Sequence, residues 1–146
     1  MSREIKFRGM TKANNVMVFG DLIVCPNGEH RMLWFELKGE LPLDLDYNSF
    51  NEVVQSSTIS QFTGLQDKNG LDIYEGDILH KKIELEGGIK GNWIVVYGEG
   101  GFDIKNIDTS AEVKTMYLKK YWKHSYEVIG NIYENPELLA VPTAVL

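Results

Sequence analysis

The sequence predicts a mainly β fold, and two observations carry that prediction. Short runs of β-branched and aromatic residues recur along the chain, and clusters of Gly, Asn, Asp and Pro interrupt them at close spacing. Many short strands punctuated by turns make a small barrel or sandwich.

The elements follow in order. Ile5 and Phe7 alternate with Lys6 and Arg8, and Val16 to Val24 is a β-rich run. Pro26-Asn27-Gly28 supplies a turn, after which Met32 to Leu37 resumes the apolar pattern, so this part reads as a meander. Lys38 to Phe50 carries Gly39, Pro42, Asp44, Asp46 and Asn48, which favour turns. The expected boundary therefore separates a β-rich N-terminal lobe, 1–50, from a domain at 51–146, the two folding as one cooperative unit. Beyond Ser57, Ile59, Thr63 and Leu65 recur at even spacing on one strand face, with Phe62 on the other.

Glu86 to Gly91 is a further turn cluster, and Trp93 to Tyr97 is the most strand-like run in the chain. Gly98-Glu99-Gly100-Gly101 breaks it before Phe102 to Lys105 alternates again. Asp108 to Lys123 fits helical and strand spacing equally well. Tyr126, Val128, Gly130 and Ile132 alternate with their neighbours as a last strand, and Asn135-Pro136-Glu137 has the order of a short helix start.

The stretch from Gly64 to Leu79, GLQDKNGLDIYEGDIL, is the densest in turn residues and acids. A two-residue Asn69-Gly70 turn would set Asp67 opposite Asp72, which like-charge repulsion disfavours. A three-residue loop, Lys68-Asn69-Gly70, puts Asp67 and Gly70 where a type I turn with a following left-handed glycine wants them, and pairs Leu65 with Ile73. A four-residue loop loses that match. A calcium loop would need its glycine at the sixth position and a glutamate at the twelfth, where Ile78 stands. The sequence therefore assigns Asp67, Asn69, Gly70 and Gly76 to shaping turns.

The chain has 146 residues, of which 43% are hydrophobic and 25% charged, so it can bury a core and fold. Cys25 is its one cysteine, which excludes an internal disulfide and a cysteine-built zinc site. With no apolar run near the roughly 20 residues of a membrane helix, a cytoplasmic protein with no membrane partner is expected. The net charge of -6 works against phosphate backbones and makes protein partners the default.

Three blocks, REIKFRGM, ISQFTGLQDKNGLDIYEGDIL and YEVIGNIYENPELL, together resemble the YopX family of phage and prophage proteins, in the family's order. Gly9 and Met10 stand where an aromatic tryptophan often appears. The resemblance implies an SH3-like β-barrel in the central and C-terminal part, beside the β-rich lobe and one or two short helices. It also implies a phage genome as source, within a bacterial host cell, and brings no catalytic residues.

No catalytic constellation is written in the chain. His30, His80 and His124 lack metal-ligand spacing, and Ser56-Ser57-Thr58 has no nearby base. Cys25 precedes a turn proline and reads as a packed thiol, and Gly98 to Gly101 lacks the Lys-Ser/Thr of a phosphate loop. No cofactor, metal or enzymatic activity is expected. Trp93 and Tyr97, with the basic and aromatic Lys119, Lys120, Trp122 and Lys123, are the candidate interaction residues. The expected role is a non-enzymatic module that binds a host or phage protein, or itself. Nucleic-acid binding through 119–124 is the alternative.

Overall fold

The structure is a computed structural model that describes residues 3–37, 47–81, 91–111, 113–118 and 125–140. It is mainly β, built of antiparallel sheets, and divides into two units, Met1–Phe62 and Thr63–Leu146.

In the first unit β1 (Phe7–Met10), β2 (Met17–Val24), β3 (His30–Leu37) and β4 (Tyr47–Val54) form the meander read from the sequence, each strand pairing with the next. The early residues of β5 (Ser60–Gln66) add to the other side of β1, with Arg8 opposite Ser60. Within β2 the pairing changes at Gly20: Met17 to Gly20 face β1, and Asp21 to Val24 face β3. A Cβ at Gly20 would lie 2.1 Å from the Leu33 carbonyl oxygen, so only glycine lets β3 approach so closely there. Among the described residues Met32, Val54 and Phe62 are the buried hydrophobic side chains of this unit.

One expectation is corrected here. Tyr47 to Phe50, read as part of a turn-rich boundary, are strand, because β4 pairs with β3 along its whole length. The division into compact units falls between Phe62 and Thr63. Residues 38–46 of that boundary lie outside the described residues.

In the second unit the later part of β5 forms a hairpin with β6 (Asp72–Tyr74). Then β7 (Asp77–Lys81), β8 (Gly91–Tyr97), β9 (Phe102–Asn106), β10 (Thr115–Tyr117) and β11 (Tyr126–Asn131) make a five-stranded sheet ordered β10-β9-β8-β7-β11. Its core is Ile73, Leu79, Trp93, Val95, Ile104 and Tyr126. Among the described residues β10 and β11 each have one strand neighbour in this sheet, so the pairing is open and shows no closed barrel.

The ambiguous 108–123 segment resolves in part: Thr115 to Tyr117 are strand, pairing with Asp103 to Lys105. The short helix expected after Asn135 is a 3-10 turn, Pro136–Leu139, and a second one, Ser56–Thr58, lies where the sequence pointed to strand. In β5, Ser60 and Phe62 are buried on one face, and Thr63 stands on the other. Gly64 has φ +83°, and this break in the pleat lets Leu65 pack on the second unit's core.

Candidate interaction surface

The hairpin loop forms as the three-residue option. Asp67 N–H donates to the Leu71 carbonyl at 2.8 Å, Gly70 N–H donates to the Asp67 carbonyl at 3.1 Å, and Gly70 is left-handed at φ +79°. The Gln66 side-chain amide donates to Asp72 at 3.0 Å across the next rung. The β2–β3 connection repeats this design, with Gly28 N–H on the Cys25 carbonyl at 2.9 Å and Gly28 at φ +85°.

The acids of this stretch bind the protein's own amides. Asp67 Oδ1 accepts the N–H groups of Asn69 and Leu71 at 2.8 and 3.0 Å, and its Oδ2 accepts Val128 N–H on β11 at 3.0 Å. Asp77 Oδ2 accepts Tyr74 N–H at 2.7 Å across the turn centred on Gly76, which has φ +83°. Gly76 N–H donates to the Val95 carbonyl, and its own carbonyl accepts Ile132 N–H, at 2.8 and 2.9 Å. Asn131 acts likewise near the C-terminus, its Oδ1 accepting Tyr133 and Glu134 N–H at 3.0 and 2.9 Å. Carboxylates saturated by amide donors are poor cation ligands. Among the described residues no group of His, Cys, Asp and Glu is arranged to hold a metal ion.

The two candidate aromatics part company. Trp93 is wholly buried, opposite Leu79 on β7 and Asn106 on β9, so it belongs to the core and offers no surface. Tyr97 is 64% exposed and meets Phe102 edge-on at 5.4 Å. Lys119, Lys120, Trp122 and Lys123 lie outside the described residues, as does His124. His80 is exposed and shares a 2.9 Å hydrogen bond with Asn92, and Cys25 is half-buried.

Sequence reasoning missed the apolar surface of β2, β3 and β4. Ile23 is 40%, Phe35 56%, Val24 63% and Phe50 37% exposed. Ile23 sits opposite Arg31, which shares its face with Phe35, whereas Val24 sits opposite His30 on the face of Trp34 and Phe50. Both faces therefore present apolar side chains. The signal was present: Leu22-Ile23-Val24 is a continuous run, the pattern of a strand covered on both faces. Trp34 and Phe50 stack at 5.5 Å with a 15° interplanar angle, which fixes one aromatic pair on this surface.

Burial also governs the ionisable groups of the second unit's core. Lys81 and Tyr126 pair across β7 and β11, with the ammonium 5.7 Å from the ring centroid. Burial pushes the Lys81 ammonium below and the Tyr126 phenol above its ordinary range.

A family model described as YopX protein matches residues 6–140. Among solved structures, protein EF1440 from Enterococcus faecalis is similar at 26% identity and a TM-score of 0.58, over 95% of this chain and 100% of that one. Protein yopX from Bacillus subtilis is similar in fold at 20% identity and a TM-score of 0.56, over 94% and 98% of the two chains. No curated protein matches.

Proposed function

We propose that this chain, which belongs to the YopX family, is a phage- or prophage-encoded, cytoplasmic accessory protein that works without catalysis by binding another protein. The observation that carries the reading is the apolar surface of β2, β3 and β4, where Ile23, Val24 and Phe50 are exposed on a sheet with apolar groups on both faces. Apolar surface of this kind marks sites of association. The conspicuous acids, Asp67 and Asp77, are committed to holding turns, which leaves the signature stretch an architectural role.

An SH3-like barrel for the second unit is part of the same proposal. Its support is the bond from Lys68 N–H to the Tyr126 carbonyl at 3.0 Å, which, with the Asp67 to Val128 contact, ties the β5–β6 loop to the edge strand β11. That contact carries the hairpin toward the edge that a barrel has to cover.

The test is capture of partners from infected or induced cells with the wild-type chain and with an Ile23→Ser/Val24→Ser variant. The expected result is a specific protein retained by the wild type and released by the variant, whose circular dichroism stays native. Equal capture by both chains overturns the reading, as does a wild-type chain that neither captures a protein nor associates with itself.

A further inference from the structure

We propose that the outer edge of β4 is a seam between two copies of this chain, pairing antiparallel about a two-fold axis at Phe50. The inference rests on the interaction-module reading and names its partner as a second copy.

The direction of the backbone groups comes first. At the end of β4, Lys12 N–H donates to the Val53 carbonyl at 2.9 Å and Gln55 N–H donates to the Met10 carbonyl at 2.8 Å, so residues 53 and 55 point away from β3. The β3–β4 register runs unbroken from Tyr47 to Val54. Strand periodicity therefore aims the N–H and C=O groups of Ser49 and Asn51 outward too. Met10 to Lys12 cover that side of β4 at Val53 to Gln55, and among the described residues no strand pairs with Ser49 or Asn51 there.

The edge also lacks the usual protection. Asn48 to Glu52 are exposed, and the strand YNSFNEVV carries no lysine, no proline and no break in register. Such an edge is a template for another strand.

Self-complementarity selects the occupant. An axis at Phe50 sets Phe50 against its own mate, Ser49 against Asn51, and Asn48 against Glu52, so no like charges meet. Each Ser49–Asn51 pair exchanges both backbone hydrogen bonds, and the central pair occupies the site where side chains come closest. The Phe50 ring is already held by its stack on Trp34. Moving the axis to Asn51 would face Ser49 with Val53, whose carbonyl is already taken by Lys12.

Light scattering across a concentration series should give twice the chain mass of 16.6 kDa. Asn51→Pro removes a donor that the β3–β4 ladder does not use, and should return the single-chain mass. In a Cys25→Ser background, oxidised Phe50→Cys should cross-link two copies, because the axis brings its Cα atoms within disulfide reach, whereas Glu52→Cys should not. A monomer at every concentration overturns the seam, as does a dimer that survives Asn51→Pro or cross-links as readily through position 52. A monomer that still releases a foreign protein on Ile23→Ser/Val24→Ser refutes the seam alone and leaves the module reading standing.

Discussion

Asp67 and Val128 are 61 residues apart in sequence, yet one Asp67 carboxylate oxygen accepts the Val128 N–H at 3.0 Å while the other closes the hairpin loop. A single side chain thus shapes a local turn and fixes where the last strand lies.

Asp67→Ala should therefore lower stability by about 3 kcal/mol, since it removes a buried charged acceptor that satisfies three amide N–H groups. The urea midpoint should fall with little change in slope. Asp67→Asn keeps one acceptor oxygen and should lose less. Added calcium should leave the midpoint of the wild-type chain unchanged; a rise would revive the ion-binding loop.

Gly70 and Gly76 have similar left-handed backbones, at φ +79° and +83°, in different surroundings. A Cβ at Gly70 meets nothing within 4 Å, whereas at Gly76 it would lie 3.0 Å from the Tyr133 ring. Gly70→Ala should cost about 1 kcal/mol, the backbone strain alone. Gly76→Ala should cost clearly more, and Tyr133→Ala should recover part of the difference in a double-mutant cycle.

The Lys81–Tyr126 pair predicts a stability maximum on the alkaline side. Folded Lys81 releases its proton below the ordinary 10.5 of the unfolded chain. Between those two values the unfolded state binds more protons, so stability climbs with pH. Above about 10 the unfolded phenol of residue 126 ionises while burial keeps the folded one neutral, so stability falls. Urea midpoints from pH 7 to about 11 should show Lys81→Met flattening the rise and Tyr126→Phe weakening the fall.

Local chemistry made much of this legible in the sequence. Pro26-Asn27-Gly28 announced a turn, Lys68-Asn69-Gly70 announced a three-residue hairpin, and Asn135-Pro136 announced the final helical turn. β4 escaped because Asn48, Ser49 and Asn51 are poor strand formers, held extended by pairing with β3. Gly64 reversed the faces of β5, which no even-spacing argument can anticipate. The apolar surface escaped because a continuous run in β2 reads as buried on both sides until the cover is seen to be missing among the described residues.

Trp93 and Tyr97 show the same limit at two positions of one strand. They share a face of β8, so periodicity gives them the same fate, yet Trp93 is wholly buried and Tyr97 lies at the exposed end. Trp93→Ala should cost about 3 to 5 kcal/mol, because it empties the centre of the core. Trp93→Phe should cost far less, since the indole N–H has no hydrogen-bond partner among the described residues and its removal sacrifices none. Tyr97→Ala should stay within about 1 kcal/mol, the value of its edge contact with Phe102. Denaturant midpoints for the three variants measure this gradient, and a Tyr97→Ala loss as large as that of Trp93→Ala would place Tyr97 in the core as well.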